Sequence, residues 1–130
     1  MNNDMIEFSC GGYFGGYDTI RYSNGKVALS NSQKPFDEQT EDILEEKLKA
    51  FWQQIDSIGV WDWQEKYMDP HILDGTQWHL KLVHGNREKK IYGSNMFPPK
   101  ISISDNRKSK VFHQLCQAVN ELIGRKYLEY

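Results

Sequence analysis

The stretch Trp78–Asn95, WHLKLVHGNREKKIYGSN, constrains this chain more than any other. Trp78, Leu80 and Leu82 alternate with His79, Lys81 and Val83, the two-residue period of a strand with one buried face. Gly85-Asn86 then suits a type II′ turn, in which glycine comes first because that position needs a positive φ. Folding about those two residues sets His84 opposite Arg87, Leu82 opposite Lys89, Leu80 opposite Ile91 and Trp78 opposite Gly93. A side chain at 93 would crowd the indole, so Gly93 reads as a packing requirement. Ser94 and Asn95 readily hydrogen-bond their own backbone and end strands, and Phe97 before Pro98 is placed to seal a core. Gly93-Ser94-Asn95 is therefore expected to be a turn rather than a site.

A second hairpin signal lies at Asn24-Gly25, a pair suited to a type I′ turn. It sets Ser23 opposite Lys26, Tyr22 opposite Val27 and Ile20 opposite Leu29, so four apolar side chains share one face. Upstream, Ile6, Phe8 and Cys10 alternate with Glu7 and Ser9 before GGYFGG (11–16) interrupts. A polar connection containing Pro35 follows the hairpin.

Two segments carry helical period. In TEDILEEKLKAFWQQIDSIG, Ile43, Leu44, Leu48, Phe51, Trp52, Ile55 and Ile58 recur at three- and four-residue steps. Thr40 is the expected N-cap, Glu41 and Asp42 suit the positive end of the dipole, and Gly59 can stop the helix in the left-handed conformation. From Lys108 to Ile123, Val111, Phe112, Leu115, Cys116, Val119, Leu122 and Ile123 form a second stripe, ended by Gly124. Between the segments, Trp61 and Trp63 are spaced as on one face of an extended stretch, and a short strand is expected at Ile101–Ile103. The expected fold is α+β, in the order β-β-β-α-β-β-α. An antiparallel sheet of about five strands carries both helices on one face, leaving the other partly open.

One domain over residues 1–130 is the natural reading, because a chain of 130 residues can bury roughly two-thirds of its unfolded surface. Four Trp, seven Tyr and six Phe supply enough core area to argue against disorder. No apolar run has membrane-spanning length and MNNDMIEFSC lacks a secretory pattern, so a cytoplasmic protein is expected, with no membrane partner. Cys10 and Cys116 lack ligand spacing and read as reduced thiols among apolar neighbours. His71, His79, His84 and His113 show no metal-ligand spacing and read as solvated; neither metal nor cofactor is expected.

The loop SCGGYFGG resembles a phosphate cradle only superficially, since a strand rather than a helix follows. It reads as a hairpin tip carrying Tyr13 and Phe14, which either face a partner or fold back on the core. Asp62, Asp69 and Asp74 stand near aromatics, but nothing pairs them with a nucleophile, and Asp74-Gly75 is ordinary turn chemistry. Charge is unevenly distributed: residues 1–74 hold 14 acids and 6 bases, net −8, and residues 75–130 hold 4 acids and 10 bases, net +6.

Asp74, Gly75, Trp78, Leu80, Gly93, Ser94, Asn95, Phe97 and Pro98 follow a pattern of the form D-G-x-x-W-x-L…G-S-N-x-[FY]-P. In this the chain resembles small bacterial domains of unassigned function, over about its middle third. Domains of this kind look similar, at the level of fold, to immunity proteins of bacterial toxin systems. The resemblance implies a fold and carries over no catalytic residue.

Three functions follow as expectations. First comes a non-enzymatic protein-binding module, in its most concrete form an immunity protein that neutralises a basic toxin. Its acidic surface of Asp42, Glu45 and Glu46, with Asp37 and Glu38, would steer encounter, and Tyr13, Phe14 and Tyr17 would anchor it. The alternative is single-stranded nucleic-acid binding on the outer face of the second hairpin, through His79, Lys81, Lys90 and Tyr92 with Arg107, Lys108 and Lys110 nearby. The third is a small-ligand pocket near Trp61, Trp63 and Tyr67.

Overall fold

The computed structural model describes residues 3–12, 15–72, 75–128 and 130, leaving aside the side chains of 35–37. Among these residues, nine strands and two α-helices run in the order β1 Met5–Gly12, β2 Gly16–Ser23, β3 Lys26–Asn31, β4 Lys34–Asp42, α1 Glu45–Ile58, β5 Lys66–Met68, β6 Thr76–His84, β7 Arg87–Ser94, β8 Met96–Phe97, β9 Ile101–Ser102 and α2 Lys110–Ile123. β1 to β7 form one sheet in the order β4-β3-β2-β1-β6-β7-β5, and β8-β9 make a separate ribbon. The sheet is antiparallel except for β5, which runs parallel to β7. The fold is thus α+β, as expected, but with seven strands in a mixed sheet rather than about five.

Both hairpins have the register their turns dictate. Ser23, Tyr22 and Ile20 face Lys26, Val27 and Leu29, and Asn24 and Gly25 take φ of 52° and 80°. His84, Leu82, Leu80 and Trp78 face Arg87, Lys89, Ile91 and Gly93, about a turn that has Gly85 at φ 60°. Joining the hairpins is β1, which pairs β2 on one side and β6 on the other, with Phe8 between Ile20 and Leu80. One face of this assembly, from Val27 through Ile20, Phe8 and Leu80 to Ile91, is buried.

Both helices cover that face. Phe112 of α2 meets Phe8 at 5.9 Å and Trp78 edge-on at 4.8 Å. Trp52 of α1 stacks on His84 at 4.3 Å, and His84 shares the buried face of β6 with Trp78 and Leu82. Ser109 caps α2: its Oγ accepts from Phe112 N (3.1 Å) and donates to Pro98 O (2.5 Å). Behind α2, Asn120 holds the tail, accepting from the N–H groups of Tyr127 and Leu128 and donating to Leu128 O. Gly59 and Gly124 end the helices at φ 85° and 73°.

Five expectations are corrected. Lys34–Asp42 is a strand, so Thr40 is not an N-cap and Asp42 lies in β4, opposite Lys26. An edge strand is held by its backbone ladder and buries little, so it leaves no apolar period in the sequence. Consequently α1 begins at Glu45, and Leu44, assigned to its buried stripe, is its N-cap at 62% exposure. Trp61 belongs to a single 3-10 turn, Val60–Asp62, not to an extended stretch. α2 begins two residues later than Lys108, behind the Ser109 cap, and the expected strand at 101–103 ends at Ser102.

Trp78 is the centre of the core. Its indole stacks with Tyr67 (6.0 Å) and Phe97 (6.5 Å), and its Nε1 donates to Met96 O at 2.9 Å. A Cβ on Gly93 would stand 1.9 Å from Nε1. Gly93→Ala should therefore lower unfolding free energy by about 3 kcal/mol through overpacking; a urea midpoint indistinguishable from that of the parent chain would disprove the contact.

Candidate functional site

Strand alternation sends Glu7, Ser9, Thr19, Arg21, His79, Lys81, Lys90 and Tyr92 to the sheet face opposite the helices. Pairing brings them together: His79 lies opposite Tyr92 and Lys81 opposite Lys90, while Glu7 lies between Arg21 and Lys81, and Ser9 between Thr19 and His79. Glu7 is the electrostatic hub, its Oε1 3.2 Å from His79 Nε2 and 3.8 Å from Arg21 Nε. Lys90 reaches Glu88 at 3.6 Å. Along one flank, β5 adds Lys66 opposite Tyr92.

The result is a shallow depression of about 530 Å³ lined by Glu7, Glu65, Lys66, His79, Lys81, Lys90 and Tyr92. His79 and Tyr92 also line a smaller hollow of about 220 Å³, with Ser9, Tyr17 and Gln77 on its other side. Tyr17 Oη donates to Gln77 Oε1 at 3.0 Å. Two tyrosines, 36% and 43% exposed, thus stand on one open surface. It carries charges of both signs, with Glu7 set between Arg21 and Lys81 and with Lys81 opposite Lys90.

The structure therefore regroups the expected residues. His79, Lys81, Lys90 and Tyr92 are together, as their register requires, and Tyr17 joins them rather than the acidic set. Asp42 pairs with Lys26 at the far end of the β2-β3 hairpin, and Tyr17 lies six residues back along β2 from Ser23, about 20 Å at strand rise. Glu45 and Glu46 form the first turn of α1, where they favour the helix dipole. Tyr13, Phe14 and Asp74 lie outside the described residues, as does the side chain of Asp37. Arg107 and Lys108 line a different cavity, beside Phe97 and Tyr130, and Lys110 opens α2.

The remaining candidates are held in packing or local turns. Tyr67 is buried and its hydroxyl accepts from Gln64 N. Trp61 donates to Asp56 Oδ1 at 2.8 Å and lies 4.3 Å beneath the Arg87 guanidinium, and Trp63 is half-buried. Asp69 accepts from Ser102 Oγ and His71 N; those bonds, the hydroxyl first, hold its carboxyl below the ordinary range. Three of the four histidines are engaged rather than merely solvated: His79 by Glu7, His84 by the Trp52 ring and by Asp4 Oδ2 at 2.9 Å, and His113 by Tyr130 O at 2.6 Å. Among the described residues, no three His, Cys, Asp or Glu side chains are grouped to hold a metal ion.

Asn95 shows what Gly93-Ser94-Asn95 is for. Buried and at φ 60°, it accepts from Thr76 N at 2.9 Å and donates to Ile72 O at 3.2 Å through its side chain. Its backbone donates to Thr76 O and accepts from Ile103 N. Its side chain bonds other segments rather than its own backbone. The motif ends β7 and ties three segments together. Glu7, Arg21 and Lys66 were missed on the open face. Alternation in β1 and β2 already pointed the first two outward, but no local signal announced that β1 pairs with β6.

No family model matches the chain, and no curated protein matches it. Fold and surface define a small α+β domain with one covered and one uncovered sheet face. No helix among the described residues is long and apolar enough to cross a membrane.

Two outcomes are expected. Asn95→Gly keeps the left-handed backbone but removes the side-chain bonds, so it should cost about 2 kcal/mol; a loss no greater than for an exposed substitution would remove the hub. Burial, and then the charge of Asp18, push the half-buried Cys10 thiol up to about 12 from 9.0, and burial likewise raises Cys116. Both thiols stay neutral in the folded chain at pH 8, so iodoacetamide should label them only on unfolding. The sign is fixed by linkage: above pH 9.0 the unfolded thiols ionise first, so stability falls as pH rises. Rapid labelling of the native protein would refute this.

Proposed function

We propose that the protein is a non-enzymatic binding module that holds a protein partner on its open sheet face. One observation carries the reading: Tyr17 and Tyr92 stand exposed on one surface, around paired charges of both signs. Tyrosines supply large contact area at small conformational cost, and such anchors concentrate interface energy. Glu7 among Arg21, Lys81 and Lys90 fixes register against a partner whose charges are complementary. A polyanion would meet Glu7 and Glu65 among the bases, so this face favours protein over single-stranded nucleic acid. Neutralisation of a toxin is the concrete form we propose, with Asp42, Glu45 and Glu46 steering a basic partner from the far end of the sheet.

Immobilised protein should capture a partner from host lysate, and co-expression should protect against a toxin encoded beside it. Tyr17→Ala and Tyr92→Ala together should weaken capture at least tenfold, with an unchanged urea midpoint. Undiminished capture by the double variant would overturn the assignment of the face. Retention of oligonucleotides that vanishes as salt rises would replace the protein partner by nucleic acid.

A further inference from the structure

β4 is the last strand of the sheet, and among the described residues no strand pairs with its outer edge. Its ladder with β3 shows which backbone groups are turned outward. Ile43 N donates to Gly25 O at 2.8 Å, so the 25–43 pair is a hydrogen-bonded one. Antiparallel pairs alternate in kind, which makes Val27–Glu41 and Leu29–Gln39 bonded, and Lys26–Asp42 and Ala28–Thr40 not. Thr40 and Asp42 therefore present their N–H and C=O groups away from the sheet. Their side chains, and that of Glu38, are exposed.

Residues 37–46 hold six carboxylates and no Lys or Arg. Two of the six are answered from outside: Glu41 by Arg125 at 2.8 Å and Asp42 by Lys26 at 3.9 Å. The rest leave the edge negative, with the exposed Leu44 at its end. From this edge we infer a second docking surface, beyond the open face: β4 accepts an extended, basic segment of a partner protein as an added strand. The backbone groups of Thr40 and Asp42 continue the ladder, and the carboxylates select lysine or arginine in the incoming strand. A second copy of this chain does not fit. Antiparallel β4 strands centred on Thr40 would set Glu38 against Asp42 of the other copy, and like charges directly opposite are destabilising. The same acids that prevent self-pairing thus admit a basic strand.

The test uses the full chain and a twelve-residue peptide of alternating lysine and threonine, with its glutamate counterpart as control. The lysine peptide should bind and slow amide exchange at Thr40 and Asp42, and the glutamate peptide should not bind. Thr40→Pro removes an outward N–H and leaves the ladder to β3 intact, and should weaken binding at least tenfold. Glu38→Lys with Glu45→Lys should do the same without touching the backbone. Absence of binding, full affinity in either variant, or protection at His79 and Tyr92 instead of β4 would overturn the inference. The amide map also separates this surface from the open face, so either assignment can fail alone.

Discussion

Everything in this molecule is arranged around the indole of Trp78 lying on the bare backbone of Gly93. The ring fills the space a side chain would occupy on the neighbouring strand, and in doing so becomes flat against the sheet. A flat indole offers two faces and an edge to other aromatics: Tyr67 and Phe97 stack, and Phe112 meets it edge-on. Those contacts come from β5, the ribbon strand β8 and the second helix. One glycine therefore decides how three separate parts of the chain reach the sheet. The Nε1 bond to Met96 O fixes the ring in its plane, since a buried indole N–H without a partner is costly. Trp52 shows the contrasting case. Its Nε1 is buried without a hydrogen-bond partner among the described residues, and its position rests on stacking with His84 and Trp61.

Around this centre the loops are held by buried polar side chains rather than by apolar contact. Asn95 ties the start of β6 to the ribbon, Ser109 ties the start of α2 to the Pro98 carbonyl, and Asn120 ties the tail to α2. Each satisfies backbone groups that a loop crossing the core would otherwise leave unpaired. Ser109 and Asn120 were not singled out in the sequence, because a lone buried Ser or Asn has no period and no spacing partner. Asn95 stood out only as a strand-ending residue. Its real work spans Ile72 to Ile103, a separation that no local pattern reports.

The legible part of the fold is the part fixed by short-range chemistry. Asn24-Gly25 and Gly85-Asn86 dictate their registers through positive φ, and both helices end at the glycines that their periods pointed to. What escaped was either nonlocal or weakly buried. β1 joins the hairpins by pairing residues some seventy positions apart, β5 is three residues of parallel strand, and β4 carries charge where a central strand would carry Val or Ile. The candidate surface divides the same way. His79, Lys81, Lys90 and Tyr92 follow from one hairpin register, while Tyr17 reaches them only because β1 brings β2 alongside β6.

This division explains the shape of the outer face. Had helices covered both sides, β1, β6 and β7 would read as continuous apolar runs. Instead they alternate, and the outward positions hold Glu7, Ser9, His79, Lys81, Lys90 and Tyr92. Water alone would be satisfied by any polar residues there. Two tyrosines are harder to attribute to solvation, because each leaves a large ring partly exposed without adding to the core. Nor do they lie on an edge strand, since β2 and β7 each have a neighbour on both sides and the edges belong to β4 and β5. A surface that keeps aromatic area in water, beside Glu7 and its His79 and Arg21 partners and clear of the core, is the ground on which contact is proposed here. Binding can use a rigid sheet as it stands, whereas acid–base chemistry would require a deeper, drier cleft to move pKa values apart.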